Sequence, residues 1–268
     1  ATQSGVFAAL LAQKGYSGTE KVFEGKEGFM DAFVGWNAKD ETMKPTDMEG
    51  RDGVSSWAWD VDALVGGLGE SYKILECGMK AFPTEALTHT HISCALNAMV
   101  NNDLDYTDIK EVKVTAFAQA YDILFDPTKY RPESRETADH SLPYCMAAAI
   151  VDKKITTASF SDEKLNDPRI FEVIDKIVGE PSLEFEAMFP AKQPSRVVVT
   201  TNDGRQFEEY MEYPKGDPRQ PMTMDDLTNK FNGLAEASLS AERMQEVKDL
   251  IFACEQVSAR DFMAKLVV

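Results

Sequence analysis

Three short segments of this chain set polar or ionisable groups at the edge of apolar sequence. They are Lys80-Ala81-Phe82-Pro83-Thr84-Glu85, Ala138-Asp139-His140-Ser141-Leu142-Pro143-Tyr144-Cys145 and Tyr213-Pro214-Lys215-Gly216-Asp217-Pro218-Arg219. A packed core has no use for such groups, because burying a charge or an unpaired polar atom is costly unless it is paired or used. The pattern points to a wet cleft. Lys80 and Glu85 flank the bend at Phe82-Pro83, and an ammonium beside a carboxylate can hold a substrate carboxylate and move a proton. The same spacing also serves a surface ion pair. His140 stands where a loop enters a helix through Pro143, a place where free backbone N–H groups bind anions, and imidazole chemistry suits it to acid or base work. Asp139 or Ser141 also reads as a helix cap. The Lys215 loop carries two cations and a glycine that permits close backbone approach, as a carboxylate clamp or as a plain connector. His89 and His91 lie two apart, on different helix faces, and read as exposed polar positions at a helix start rather than as a metal pair.

Composition narrows the chemistry further. The chain has 268 residues, 43% of them hydrophobic, and a formal charge of −17. It is long and apolar enough to bury one sizeable core or two smaller ones. The acidic balance disfavours nucleic acid and anionic membranes, which need a basic face. An acidic chain still binds a carboxylate where a few cations converge, which directs attention to Lys80, Lys215 and His140. The apolar run at residues 145–151 is far short of the ~20 residues of a membrane span, and the opening residues lack a secretory pattern. A cytoplasmic location is the expectation. Four cysteines without metal-type spacing and three histidines without HExxH suggest reduced thiols and no metal site. There is no Walker loop and no GxGxxG after a strand.

The elements that must position these groups are partly legible. Val6, Phe7, Leu10 and Leu11 repeat at helical spacing until Lys14-Gly15. No cap precedes this helix, and the start at Ala1 reads as a cut or split in something longer. A Gly25-to-Gly28 turn, a helix-like stretch at 29–33, polar irregular sequence at 35–55 and mixed signals at 57–72 follow. Lys73-Ile74-Leu75 reads as extended. Residues 87–99 read as helix, 109–117 as a half-buried strand of period two, and 143–151 as a small-residue helix. Asp167-Pro168-Arg169 opens a helix running through Ile174 and Ile177. Residues 196–211 form a hairpin about Asn202-Asp203-Gly204-Arg205. Thr223-Met224-Asp225-Asp226 starts the first of three closing helices. The expected fold class is α+β, a mostly helical domain with an inserted smaller α+β lid. Its parts are residues 1–75 of the helical domain, 76–213 of the lid and 214–268 returning to the helical domain.

With these residues in view the chain resembles the MmgE/PrpD family from end to end. The likeness rests on Ser4-Gly5-Val6-Phe7-Ala8-Ala9-Leu10-Leu11-Ala12, Phe23-Glu24-Gly25-Lys26-Glu27-Gly28-Phe29, Lys80-Ala81-Phe82-Pro83, Asp139-His140-Ser141, and Pro214-Lys215-Gly216-Asp217-Pro218 followed by Pro221-Met222-Thr223, in register. The resemblance implies a lyase acting on a small hydroxy tri- or dicarboxylic acid such as 2-methylcitrate, with no metal or organic cofactor. Epimerisation, isomerisation or decarboxylation of a similar acid stays open, as does a non-catalytic subunit. By alignment Lys80 occupies the position of a cleft lysine; together with the reading of the residues this makes His140, Lys80 and Glu85 the expected catalytic residues, and Ser141, Tyr144, Tyr121, Gln3 and Lys215 the expected substrate-binding ones. Glu85 replaces a histidine of the decarboxylase branch, Tyr121 aligns with a cleft tyrosine, and Gln3 falls where that branch has a lysine. The resemblance covers the later part of the family pattern. The chain is therefore expected to work as a homo-oligomer, or as a hetero-oligomer with a chain carrying the N-terminal half of the fold.

Overall fold

A computed structural model describes residues 2–23, 28–29, 32 and 65–267. The expected Gly25-to-Gly28 turn, the stretch at 29–33, the polar segment at 35–55 and the first half of 57–72 lie wholly or largely outside the described residues. The chain divides into two compact units, residues 1–72 and 73–268. The first contains helix α1 (Thr2–Gln13), which buries none of its residues. It stops at Lys14-Gly15, whose N–H groups return to Leu11 and Ala12 carbonyls.

The second unit is mixed helix and sheet. Strand β1 (Ile109–Phe117) has the expected bounds, and its alternation places Val112, Val114 and Ala116 in the core. It sits centrally in a four-stranded sheet of order β2-β1-β3-β4, where β2 is Ile177–Ser182, β3 Ser195–Thr201 and β4 Gln206–Met211. β2 runs parallel to β1, while β1–β3 and β3–β4 are antiparallel, so the expected hairpin is present. The sequence assigned Ile177 to a helix. That helix ends at Ile174, and Ile177 opens β2 instead. A Gly and a Pro hide this strand, but β2 lies at a sheet edge, where Pro181 leaves no central ladder bond unmade. Gly179 is needed there because a Cβ would come within 2.8 Å of the Phe125 ring.

Helix α2 (His89–Asn101) packs on β3 and β4 and against a second helix, α5 (Leu142–Asp152). Between α2 and α5 run α3 (Ala118–Leu124) and α4 (Arg135–Asp139). α5 is the innermost helix, buried from Leu142 through Ile150, as its small side chains allow. After the sheet come α9 (Met224–Ala235), α10 (Ala241–Phe252) and α11 (Ala259–Lys265), counting α6 (Asp162–Leu165), α7 (Pro168–Ile174) and α8 (Leu183–Glu186) before β3. These are the three closing helices read from the sequence. Thr223 and Asp226 form a capping box at the start of α9, which fixes that end of the helix. Lys73–Glu76, expected as extended, is a 3-10 turn closed by the Lys73–Glu76 pair.

His89 and His91 are not exposed polar positions. Both are buried, at 2% and 0% exposure, because α2 is covered by the sheet and by α5. The pattern of polar residues at its start concealed a helix with no solvent face in its first turns.

The Lys80 segment and the Lys215 loop are locked together by backbone. Met79 N–H donates to Gly216 C=O at 2.8 Å, and Gly216 adopts φ +98. A Cβ at Gly216 would lie 1.9 Å from Met79 O. Gly216→Ala is therefore expected to lower the unfolding free energy by ~2 kcal/mol or more, measured by urea denaturation. An unchanged midpoint would contradict this account of the junction.

Candidate functional site

The junction places Lys80 and Lys215 on one cavity of about 470 Å³. One wall is Lys80 to Pro83 with Ile155, Thr156 and Thr157, the segment following α5. The other is α9, where Asp226, Asn229, Lys230, Gly233 and Leu234 repeat at three- and four-residue spacing along one face. Three ammonium groups and one carboxylate thus face a largely apolar recess in a chain of charge −17. Each lysine is held in place. Lys80 Nζ donates to Thr84 O at 2.8 Å, Lys230 Nζ donates to Lys80 O at 2.6 Å, and Lys215 Nζ contacts Asp226 Oδ1 at 2.5 Å. The Lys215 ammonium, with the Thr223 N–H and hydroxyl, holds the Asp226 carboxyl down at about 2. Only one of the three positive charges is matched within the cavity. An ammonium that gives one hydrogen to a carbonyl retains two for a ligand, so Lys80 and Lys230 are placed to receive a carboxylate.

A smaller recess of about 220 Å³ shares Lys80 and Lys215 with this cavity and adds His89, Gln193, Gly216 and Asp217. Burial, and after it the Lys80 and Lys230 ammonium groups, lower the His89 pKa to about 4. Its ring tilts against Phe82 at 5.4 Å. His91 is likewise pushed to about 4 by burial, with Nδ1 3.1 Å from Leu87 O.

Glu85 and His140 lie at the far end of the Lys80 segment. Glu85 N–H donates to Asp139 C=O at 3.0 Å, which ties that segment to the one carrying His140. The Glu85 carboxylate accepts from Leu87 N–H at 2.6 Å and caps the following turn. It forms no ion pair with Lys80 within 4 Å among those present, and Lys80 turns instead to Thr84. His140 is exposed, and its Nδ1 lies 2.5 Å from Asp139 Oδ1, which leaves Nε2 facing outward. His140 is not among the residues lining the 470 Å³ cavity.

Ser141 and Tyr144 are internal. Ser141 Oγ donates to Lys129 O at 2.5 Å and accepts from Tyr144 N–H at 3.0 Å as the N-cap of α5. Tyr144 OH donates to Ser159 O at 2.9 Å, and burial raises its pKa. Both frame the entry to α5 rather than reaching solvent. Tyr121 on α3 stacks on Phe125 at 5.5 Å, half-buried against the core. Gln3 is an exposed residue of α1 in the other unit. Arg219, the second cation of the Lys215 loop, is occupied by Asp217, the Ala191 carbonyl and the Tyr213 ring. Sequence reasoning missed Lys230, Asp226 and the burial of His89. The α9 spacing was available as a signal for the first two, but nothing local told which face would meet Lys80.

Among the described residues no group of three or more His, Cys, Asp and Glu side chains is arranged to hold a metal ion. No helix among them is long and apolar enough to cross a membrane.

The chain is 23% identical over 266 residues to cis-aconitate decarboxylase of Aspergillus terreus, covering 96% of this chain and 51% of that protein. It is 23% identical over 270 residues to the Mus musculus protein of the same name, covering 99% of this chain and 50% of that one. It is also 28% identical over 134 residues to 2-methylcitrate dehydratase-like protein oryR of Aspergillus oryzae, covering 47% of this chain and 27% of that protein. The chain spans about half the length of the two decarboxylases. Residues 1–42 match the MmgE/PrpD N-terminal domain, and residues 82–254, most of the unit that builds the lysine cavity, match the MmgE/PrpD C-terminal domain. On the second match, which covers more than half of its length, this chain belongs to the MmgE/PrpD family.

Proposed function

We propose that this chain supplies the carboxylate-binding side of a lyase that dehydrates a small hydroxy tri- or dicarboxylic acid such as 2-methylcitrate. The observation that carries the proposal is the convergence of Lys80, Lys215 and Lys230 on one apolar-walled cavity. Within such walls an ammonium–carboxylate contact is stronger than in water, and the cations also stabilise charge that develops as the proton next to the carboxylate leaves. In this reading His140, whose Nδ1 Asp139 holds, is the base that takes that proton, which requires the substrate to extend beyond the cavity lining towards it. The electron pair forms the carbon–carbon double bond, and the hydroxyl departs as water with a proton from an acid. Glu85 holds the segment that connects the two ends of the site. In this reading residues 76–213 belong to the lid domain of the family fold, and residues 1–75 and 214–268 to its helical domain. The working assembly in this reading is a homo-oligomer, or a hetero-oligomer with a chain carrying the N-terminal half of the family fold.

The relatives named cis-aconitate decarboxylase, which align over nearly all of this chain, support a second reading, decarboxylation of an unsaturated tricarboxylate. Both reactions begin with carboxylates held by lysines. They part on products: dehydration of 2-methylcitrate raises the absorbance of a conjugated alkene, whereas decarboxylation of cis-aconitate releases carbon dioxide. Each acid is to be tested with the chain alone and with a chain carrying the N-terminal half. Alkene formation supports the first reading and carbon dioxide release the second. Neither product under either condition contradicts both.

A further inference from the structure

The Lys215–Asp226 pair on the 470 Å³ cavity offers a ligand something that the other two lysines do not. Both of its side chains reach solvent, Lys215 at 41% and Asp226 at 25% exposure. A carboxylate has about four acceptor positions, shared between its two oxygens. Asp226 Oδ2 is taken up by the start of α9, accepting from the Thr223 N–H at 2.9 Å and from the Thr223 hydroxyl at 2.8 Å. Oδ1 accepts only from Lys215 Nζ among the described residues. An acceptor position therefore remains on Oδ1, and the ammonium beside it keeps two hydrogens. The charge of that ammonium is already matched. A carboxylate brought to Lys215 gains a hydrogen bond but meets the like charge of Asp226 at nearly the same distance. At Lys80 and Lys230, which each donate to a backbone carbonyl, no carboxylate is paired among the described residues and nothing opposes a ligand's charge. A hydroxyl suits the pair better. It is neutral, accepts from Lys215 Nζ and donates its own hydrogen to Asp226 Oδ1.

We propose that Lys215 and Asp226 together form the hydroxyl-binding position of this site, the hydroxyl of a hydroxy carboxylic acid bridging Nζ and Oδ1 while its carboxylates rest on Lys80 and Lys230. This rests on the carboxylate-binding reading above and deepens it, by dividing the three lysines between the two kinds of substrate group. Asp226 is the specificity-determining residue, since its charge turns Lys215 from a place for a carboxylate into a place for a hydroxyl. The role requires an ionised Asp226. Lys215 and the Thr223 donors keep it so, with the carboxyl held at about 2.

The test is calorimetric titration of the full chain with citrate and with propane-1,2,3-tricarboxylate, which differs by lacking the hydroxyl. Citrate is expected to bind ~10-fold more tightly, because its hydroxyl meets a donor and a charged acceptor at once. Asp226→Asn keeps an oxygen for the Thr223 N–H and removes the charge, which frees Lys215 for a carboxylate. In that variant propane-1,2,3-tricarboxylate is expected to bind ~5- to 10-fold more tightly than in the unaltered protein, a gain that damage to the fold does not produce. Lys215→Met removes the other member of the pair and leaves the capping box of Thr223 and Asp226 in place. It is expected to bring the affinities for the two acids within ~2-fold of each other. Equal affinities in the unaltered protein overturn this proposal alone. So does a citrate preference that survives Lys215→Met, or an unsubstituted acid that gains nothing from Asp226→Asn. Failure of both acids to bind overturns the carboxylate-binding reading together with it.

Discussion

On the proposed carboxylate site, replacing Lys80 by methionine is expected to weaken binding of 2-methylcitrate ~10- to 150-fold, because it would remove a charge-assisted hydrogen bond in an apolar-walled cavity. Methionine keeps most of the length and apolar character of the lysine stem and removes the charge. The local cost is small. Lys80 Nζ gives one hydrogen bond to Thr84 O, whereas the backbone of residue 80 remains held by Lys230. The fold should therefore be retained, and thermal unfolding within a few degrees of the unaltered protein is the control. Lys215→Met is expected to have a smaller effect, since Asp226 already engages that ammonium and offsets its charge. Equal losses at the two positions would contradict the charge balance assigned to the cavity.

Much of this arrangement was legible in the sequence, and what was not has identifiable causes. β1, the hairpin of β3 and β4, α5 and the closing helices are readable because period, caps and turn residues agree with the tertiary environment. The pairing of the Lys80 segment with the Lys215 loop was visible only as family-like order. The bond from Met79 to Gly216 and the positive φ of that glycine show why the order corresponds to proximity. β2 was concealed because an edge strand tolerates a Gly and a Pro that would disqualify a central one. Ser141 and Tyr144 are polar residues at the edge of an apolar segment, but a hydroxyl at a buried helix entry has a backbone partner to satisfy, and both do so. At His89 the sequence misleads in the opposite direction. Its neighbours Thr88, Thr90 and His91 made the segment look exposed, yet all are buried under the sheet and α5.

Stability is expected to fall steeply as pH drops from about 6.5 towards about 4. His89 and His91 each start from an ordinary value of 6.5 and are lowered to about 4, chiefly by burial. Below 6.5 the unfolded chain binds protons that the native state refuses, so protonation favours unfolding. Stability is complete above the unfolded value and is lost as pH falls towards the folded one. Each histidine contributes a slope of about 1.4 kcal/mol per pH unit in that window, or about 3 kcal/mol across it. Two such groups are a large part of the ~5–15 kcal/mol that holds a typical domain. Lys80 and Lys230 add to the effect at His89, since their charges oppose protonation there. Asp226, lowered to about 2, acts in a more acidic range and does not alter the sign. Urea denaturation at pH 7, 6 and 5 measures the slope. A double variant, His89→Gln with His91→Gln, should flatten it, and an unchanged slope in that variant would contradict the assignment.

The central claim is that Lys80, Lys215 and Lys230 form a carboxylate site. The most direct measurement is a crystal structure of the chain with 2-methylcitrate bound. The account predicts a carboxylate oxygen within hydrogen-bond distance of Lys80 Nζ, in the cavity between the Lys80 to Pro83 segment and α9. A bound acid located elsewhere, with that cavity holding only water, would contradict it.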